Sequence, residues 1–288
     1  MDDTPAPTPR SAIAAMGRVL GPDVLRDVQT LFRKEQDRLV GVPSAADLQY
    51  GDGPRQMLDV YEPEGACGAP VLLWVHGGGF VRGQKSSTEH PYNAHAGCWA
   101  AANGMTGAVM NYRLAPEATW PAGGEDVAAA VGWLRAQARE HGGDPERIVL
   151  MGTSAGSVHI ATALKLSPDL PVRAAVLLSG LYGFTPLDQR DTLYYGEAAL
   201  YADRMPRDAL IETALPLFVG CAEFDPPRFQ TETLALLAAR VERHGAMPRA
   251  HIAAGHNHFS LACHLGTRDT RLSDEVLRFI NDILGENR

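Results

Sequence analysis

Arg147-Ile-Val-Leu-Met-Gly-Thr-Ser-Ala-Gly156 is the stretch of sequence that decides the fold class. Its apolar run predicts a buried strand, and the alanine-rich segment that follows predicts a helix. Between them stands the pattern Gly152-x-Ser154-x-Gly156. The glycines allow a sharp strand-to-helix turn, which places Ser154 at the helix N-terminus, where the helix dipole favours a developing anion. The pattern is typical of a nucleophilic serine.

On both sides of this turn, short apolar runs alternate with helical patterns. The runs predict strands near residues 57–61, 71–76, 107–111, 148–152, 174–179, 215–220 and 249–253, and the periodic segments predict helices near residues 94–102, 125–139, 155–166, 229–244 and 273–284. Strands and helices that alternate in this order form a mostly parallel central sheet with helices on both faces. We therefore predict an α/β fold.

Two segments fall outside this alternation. Residues 13–40 carry apolar residues at helical spacing ahead of the sheet, and residues 181–213 contain aromatic residues and prolines without a clean period. We interpret residues 1–45 as an N-terminal helical cap segment. Residues 46–288 then form the catalytic domain, with a cap insertion at about 181–213. Both cap segments are expected to wall a substrate pocket.

A second glycine-rich segment, His76-Gly77-Gly78-Gly79-Phe80, follows the apolar run Val71–Val75. Three consecutive glycines free several backbone N–H groups to point at one spot, which is what stabilisation of an oxyanion requires. The alternatives are a plain flexible turn and a phosphate-binding loop. The phosphate loop needs a helix that begins with Lys and Ser or Thr, whereas Phe80-Val-Arg-Gly follows here.

An acid and a base follow the serine in chain order, each just beyond a predicted strand. Asp225 lies beyond the strand at 215–220, with Glu223 as the nearby alternative acid, and His258 lies beyond the strand at 249–253. This order of nucleophile, acid and base is one of those in which a histidine activates a serine.

The segment that contains His258 reads Gly255-His256-Asn257-His258-Phe259, and a His-x-His pair is also a spacing found among metal ligands. No third histidine or carboxylate accompanies the pair in a recognisable motif. We therefore predict no metal site, and we expect His256 to shape its loop or to face solvent.

The composition excludes several classes of protein. The 288 residues carry a net charge of −8 without a cluster of Lys and Arg, which argues against a nucleic-acid partner. No window approaches the roughly 20 uninterrupted apolar residues that cross a bilayer. The N-terminal MDDTPAPTPR is acidic and proline-rich, and the run after it lacks a signal-peptide core, which favours a cytoplasmic protein. The four cysteines are widely spaced, which indicates neither a disulfide framework nor a thiolate metal site.

From about Met57 to its C-terminus, the chain resembles the hormone-sensitive-lipase-like branch of the α/β-hydrolases, the microbial carboxylesterases. The resemblance lies in His76-Gly-Gly-Gly-Phe80, Tyr112-Arg-Leu-Ala-Pro-Glu117 and Gly152-x-Ser-Ala-Gly156. It implies the α/β-hydrolase fold with a small helical cap, and a structural role for Tyr112–Glu117 beneath the active site. It also implies a serine hydrolase that needs no cofactor.

The resemblance assigns a role to each candidate site residue. Ser154 is the nucleophile, and Asp225 and His258 complete a catalytic triad. The backbone N–H groups of Gly78, Gly79 and Ala155 form the oxyanion hole, with Gly77 as a further candidate. Two aromatic side chains, Phe80 and Tyr182, are predicted to contact substrate. The family often forms dimers, and the C-terminal helix at Val276–Leu284 is either core or a homodimer interface.

Two departures from the branch concern the substrate. Thr153 stands where the branch usually has Asp, and the His258 loop is similar to that of esterases and arylformamidases related to kynurenine formamidase. The first function hypothesis is a carboxylesterase for small to medium acyl groups. The second is an arylformamidase-like amide hydrolase, since the same triad cleaves both bonds. A hydrolase-fold receptor is the third, but such proteins typically lose a triad member.

Overall fold

The computed structural model describes residues 9–285, and a single eight-stranded sheet lies at its centre. The strands are β1 (Ala45–Gln49), β2 (Met57–Tyr61), β3 (Ala69–Val75), β4 (Thr106–Met110), β5 (Gly143–Thr153), β6 (Ala174–Leu178), β7 (Leu217–Phe224) and β8 (Arg249–Asn257). Their order across the sheet is β1-β2-β4-β3-β5-β6-β7-β8. The β1–β2 and β2–β4 pairs are antiparallel, and all other pairs are parallel. The carboxyl ends of β5, β7 and β8 therefore meet at one edge.

The described residues form eleven α-helices. They are α1 (Pro9–Met16), α2 (Pro22–Leu39), α3 (Ala94–Ala102), α4 (Ala122–Gln137), α5 (Ala155–Leu166), α6 (Thr192–Tyr195), α7 (Tyr201–Arg204), α8 (Arg207–Glu212), α9 (Pro227–His244), α10 (Ser260–Cys263) and α11 (Arg271–Leu284). Alternate residues of a strand point to opposite faces. In β3, Leu73 packs with residues of α4, α5, α8 and α9, whereas Leu72 and Trp74 pack with residues of α3 and α11. The predicted α/β class, with a mostly parallel sheet between two helical layers, is confirmed.

The main differences from the predicted elements lie at the edge and at the ends of strands. The predictions omit β1, because its side chains are partly or fully exposed and give no apolar run. β7 and β8 continue to Phe224 and Asn257, beyond their apolar cores. The polar ends of these two strands consequently belong to the sheet and carry the chain directly to Asp225 and His258.

The two segments outside the alternation are helical. The N-terminal segment forms α1 and α2, and Ile13, Val28 and Phe32 pack together with Cys263 of α10. The insertion contains α6, α7 and α8. The division at residue 45 into cap segment and catalytic domain stays a prediction, and residues 1–8 of that segment and residues 286–288 lie outside the described residues.

The C-terminal helix α11 uses its apolar face inside its own chain. Val276, Phe279 and Ile280 are buried against the sheet face that also packs α3. Of the two alternatives for this helix, core and interface, the structure supports core, and the homodimer stays a prediction. Among residues 9–285, no helix has the length and apolar character that a membrane span requires.

Candidate active site

Ser154 occupies a strained turn between β5 and α5. Its φ is 53° and its ψ is −123°, in the positive-φ region that non-glycine residues rarely adopt. The turn needs a glycine at position 156, since a Cβ there would lie 2.0 Å from the carbonyl oxygen of Val75. The backbone N–H of Ser154 donates to the Leu178 carbonyl at 2.8 Å. The side chain of Ser154 is thereby held at the carboxyl end of the sheet, partly exposed.

The predicted nucleophile, base and acid lie in one hydrogen-bonded series. Ser154 Oγ is 3.0 Å from His258 Nε2, and His258 Nδ1 is 2.7 Å from Asp225 Oδ1. Asp225 is fully buried, and His258 is 6% exposed. The imidazole that donates Nδ1–H to the carboxylate leaves Nε2 free to accept the serine proton, which is the tautomer a general base needs.

Asp225 is oriented by a group on β7, the strand that precedes it, and by one that follows the neighbouring strand β6. Its Oδ2 accepts a hydrogen bond from Ser179 Oγ at 2.5 Å and another from the Ala222 N–H at 2.7 Å, which leaves Oδ1 for His258. Ser179 follows β6, the strand next to β5. The sequence analysis missed Ser179, although its place just beyond a neighbouring parallel strand was a signal for it.

The alternative acid, Glu223, faces a different part of the molecule. Its Oε2 accepts the Gly255 N–H at 2.6 Å, and its Oε1 accepts a hydrogen bond from Arg10 of α1 at 2.8 Å. These contacts, first of all that with the Gly255 N–H, lower the pKa of Glu223. The carboxylate that contacts His258 is therefore that of Asp225, and Glu223 ties the N-terminal helix to β8.

The backbone N–H groups of Gly78, Gly79 and Ala155 are the predicted oxyanion donors. Within residues 9–285, no protein acceptor receives a hydrogen bond from the N–H groups of Gly78, Gly79 or Ala155. Ala155 is buried, Gly78 is partly exposed and Gly79 is exposed, so these N–H groups lie where an acceptor can reach them from outside the chain. Gly78 has a φ of 135°, and a Cβ on it would lie 1.9 Å from the Arg82 carbonyl oxygen. Gly77 lies against Ser154, 3.2 Å from its Cβ by the same construction.

The residues beneath this glycine loop are aromatic. Tyr112 Oη donates to the His76 carbonyl at 2.9 Å, and the Tyr112 and His76 rings stack with centroids 4.3 Å apart. Burial lowers the pKa of His76 to about 4, so the ring stays neutral near pH 7. The Tyr112–Glu117 motif thus supports the loop from below, as the resemblance implies.

The two predicted substrate contacts lie in different surroundings. Phe80 stacks on Tyr194 at 4.4 Å and belongs to a cluster that contains Ala155 and Tyr195, next to the unpaired N–H groups. Tyr182 is fully buried in the core cluster on the α5 side of the sheet. A fully enclosed side chain offers no surface to a ligand, so the structure gives the substrate role of Tyr182 no support.

The other histidine of this loop, His256, is buried. It is 4% exposed, so the part of the expectation that placed it at the surface is wrong. It forms hydrogen bonds with Ser260 and Asp269. In the part of the chain that the structure describes, no group of three His, Cys, Asp or Glu side chains is arranged to hold a metal ion.

The chain is similar to known proteins that are described as esterases. A family model described as BD-FAE matches residues 58–171. The probable carboxylic ester hydrolase LipM of Mycobacterium tuberculosis is 34% identical over 157 residues, which cover 49% of this chain and 35% of LipM. Esterase LipI of the same organism is 30% identical over 217 residues, which cover 65% of this chain and 67% of LipI. A solved arylesterase structure superposes with a TM-score of 0.65 at 22% identity, covering 94% of this chain and 95% of that one.

The sheet and the strand–serine–helix turn define an α/β-hydrolase, and the arylesterase structure supports that fold. By its similarity to LipI over two thirds of that relative, the chain belongs to the esterase family of the α/β-hydrolases. The predicted fold and family are thereby confirmed. The chain spans only about a third of the length of LipM.

Proposed function

We propose that this protein is a carboxylesterase that cleaves esters of small to medium acyl groups through a Ser154–His258–Asp225 triad and an acyl-enzyme. The observation that carries the proposal is the hydrogen-bonded series of 3.0 Å and 2.7 Å beside three N–H groups without acceptors. A nucleophile, a base and oxyanion donors at one strand edge are the parts that acyl transfer requires.

The geometry suggests how each residue acts. His258 Nε2 takes the Ser154 proton as Oγ attacks the ester carbonyl carbon, and Asp225 stabilises the imidazolium that results. The carbonyl oxygen, now negative, accepts hydrogen bonds from the N–H groups of Gly78, Gly79 and Ala155. The imidazolium then gives its proton to the leaving alkoxide, which breaks the ester C–O bond. His258 next removes a proton from the water that attacks the acyl-enzyme, and Ser154 is regenerated.

The aromatic cluster supports the limit on acyl size. Phe80, Tyr194 and Tyr195 pack together with Ala155 and are all nearly fully buried, so rings fill the space beside one oxyanion donor. A methyl or propyl chain needs little room there, whereas a long chain requires the rings to move. We therefore expect turnover to be highest with short acyl groups.

The test is the hydrolysis of p-nitrophenyl esters from acetate to dodecanoate, with an N-formyl aromatic amide alongside. The expected result is a maximum at acetate or butyrate and a loss in Ser154→Ala of at least about 10⁴-fold in kcat. Ser167→Ala is the matched control, because Ser167 caps the other end of the same helix α5 and its side chain makes no catalytic contact. It should leave kcat unchanged.

Different failures of this test carry different meanings. Turnover of the formyl amide alone would favour the arylformamidase-like hypothesis. Ester turnover that survives in Ser154→Ala would contradict the assigned nucleophile. Saturable ester binding without turnover in the unsubstituted protein would favour the receptor hypothesis.

A further inference from the structure

A second Ser–His–Asp hydrogen-bonded series includes residues on both sides of His258 in the sequence. Ser260 Oγ is 3.1 Å from His256 Nδ1, and His256 Nε2 is 3.2 Å from Asp269 Oδ2. Ser260 is fully buried and His256 is 4% exposed. The buried series, Ser260–His256–Asp269, has no part in the chemistry proposed above.

The protonation states of Asp269 and His256 determine which group donates each hydrogen bond of the series. Arg271 Nε donates to Asp269 Oδ1 at 2.8 Å, and hydrogen bonds from Arg271 keep the pKa of Asp269 low, so its carboxylate is ionised. Burial lowers the pKa of His256, so its imidazole is neutral near pH 7 and has one N–H. A carboxylate only accepts, so the N–H is on Nε2 and Nδ1 is an acceptor. The Ser260 hydroxyl has two acceptors within reach, Nδ1 at 3.1 Å and the Asn257 carbonyl oxygen at 3.3 Å, and Nδ1 is the nearer.

The Ser260 end of the series is bonded to the turn. The Asn257 N–H donates to Ser260 Oγ at 2.8 Å, and the Ser260 N–H donates to Asn257 Oδ1 at 2.9 Å. These reciprocal bonds span His258 and Phe259, the two residues between them. When the Ser260 hydroxyl donates to His256, its lone pairs face the Asn257 N–H. The imidazole therefore fixes the orientation of the Ser260 hydroxyl, which accepts the hydrogen bond from Asn257.

The other end is anchored to the sheet and to the N-terminal helices. Arg271, the partner of Asp269, also donates to the Ala254 carbonyl on β8 at 2.9 Å. The His256 ring stacks on His264 with centroids 3.6 Å apart, and Phe32 of α2 lies 6.2 Å from it on a nearly parallel plane. A cavity of about 470 Å³, lined in part by Asp269 and His256, opens at this end. Ser260 does not line it.

We propose that Ser260, His256 and Asp269 are positioning residues that hold the His258 turn so that the imidazole stays between Ser154 and Asp225. The inference rests on the proposed function and adds a second layer of residues to it. Ser260 itself is not a nucleophile here, because its fully buried hydroxyl donates into the interior.

The test compares His256→Phe with His251→Phe. Phenylalanine at position 256 keeps a ring in the stack but cannot form hydrogen bonds. His251 lies on the same strand and stacks on Phe218. Burial lowers the pKa of His251, so its ring is neutral near pH 7, and within residues 9–285 it has no hydrogen bond or ring contact with residues 256–260. With p-nitrophenyl acetate and active sites counted by fluorophosphonate labelling, kcat per active site should fall about 10- to 100-fold in His256→Phe, because a misplacement of about 1 Å in a catalytic group can cost about 100-fold. KM should change less than about threefold, and His251→Phe should match the unsubstituted protein.

The split between kcat and KM separates positioning from simple stabilisation. A less stable chain gives fewer active sites, whereas a displaced His258 turn lowers kcat in each remaining site and leaves substrate binding intact. Unchanged kcat per active site would overturn the proposal, even if the variant is less stable. An unsubstituted protein without any turnover would instead overturn the proposed function.

A measurement on the unsubstituted chain covers the case in which a variant does not fold. Nitrogen-15 spectra of the histidines report which ring nitrogen carries the proton. His256 should be the neutral Nε2–H tautomer at pH 7. The Nδ1–H tautomer or a protonated ring would contradict the direction of the buried series, whatever the activity.

Discussion

The two Ser–His–Asp series are exposed to solvent at opposite ends, the first at its serine and the second at its aspartate. In the first, Asp225 is fully buried and Ser154 is partly exposed, whereas in the second Ser260 is fully buried and the Asp269 side chain is 28% exposed. The imidazoles are also reversed, since Asp225 contacts Nδ1 of His258 and Asp269 contacts Nε2 of His256. The same three residue types thus form a site in one place and a support in the other.

The surroundings of the two serines differ, although the side chains in the two series are of the same types. Ser154 has a φ of 53° at a strand-to-helix turn, beside three N–H groups without acceptors. Ser260 begins the one-turn helix α10, and its own N–H is paired with Asn257. Ser154 thus differs from Ser260 in its solvent exposure, in its strained backbone and in the N–H donors beside it that have no protein acceptor. Substitutions can test these features one at a time.

The largest expected contrast is between the two carboxylates. Asp225→Asn leaves His258 without the carboxylate that fixes its tautomer and stabilises the imidazolium, and kcat should fall about 10³- to 10⁴-fold. Asp269→Asn keeps an amide oxygen that can accept from His256, so its loss should be about tenfold or less. Steady-state kinetics with p-nitrophenyl acetate measure both.

Glu223→Gln is the control for this pair, because Glu223 contacts Arg10 and Gly255 and not His258. It should retain kcat within about threefold. If Glu223→Gln loses activity while Asp225→Asn keeps it, the acid is assigned to the wrong carboxylate. Equal losses of kcat in Asp225→Asn and Asp269→Asn would contradict the assignment of Asp225 to the catalytic triad and of Asp269 to a positioning role.

The second contrast lies within the glycine loop. Alanine at Gly78 would place a Cβ 1.9 Å from the Arg82 carbonyl oxygen at a φ of 135°, so the loop must shift and its donors with it. Loss of one oxyanion donor costs about 10²- to 10³-fold in kcat, which is the effect expected for Gly78→Ala.

Gly79→Ala is the matched variant. No atom beyond its neighbours lies within 4 Å of a Cβ at Gly79, and its φ of 60° is in the left-handed region that alanine enters at a cost of about 1–2 kcal/mol. Its kcat should fall less than that of Gly78→Ala. Comparable kinetics in the two variants, with both chains folded by circular dichroism, would argue against a loop geometry tuned for an oxyanion.

Much of this arrangement could be predicted from local sequence. The Gly-x-Ser-x-Gly turn, the triple glycine and the positions of Asp225 and His258 are all local patterns at the ends of apolar runs. The structure adds the distances between them, because parallel strands bring residues far apart in sequence to one edge.

The supporting residues could not be predicted in the same way. Ser179 and Ser260 are single hydroxyls without a motif, and their partners depend on strand order and on the path of the chain after β8. The pattern predicts that His256 shapes its loop or faces solvent, but its burial depends on Phe32 of α2, which is far away in sequence. Its partner Asp269 lies 13 residues further on, beyond α10. Tyr182 was grouped with Phe80 as an aromatic of the pocket. Its backbone N–H is held by the buried Glu232 at 2.7 Å, which fixes the loop with the ring inside the core.

The smallest expected effect concerns stability rather than activity, at the ring stacked on the buried series. Burial, and to a lesser extent neighbouring His256, lowers the pKa of His264 from 6.5 to about 3. Above pH 6.5 the ring is neutral in both the folded and the unfolded chain. As the pH falls below 6.5, the unfolded chain binds a proton that the folded chain does not, so the free energy of unfolding decreases until about pH 3. One such proton contributes up to about 1.4 kcal/mol per pH unit.

His264→Phe keeps a ring in the stack and removes this proton. It loses the hydrogen bond to the Ser260 carbonyl, so it should be less stable than the unsubstituted chain at pH 7. Its free energy of unfolding should nevertheless fall less steeply between pH 5.5 and 4.5, by up to about 1.4 kcal/mol per pH unit. Urea unfolding at several pH values measures the two slopes. Parallel slopes would mean that the folded chain binds this proton as readily as the unfolded chain does, which would contradict the lowered pKa that burial gives the His264 ring.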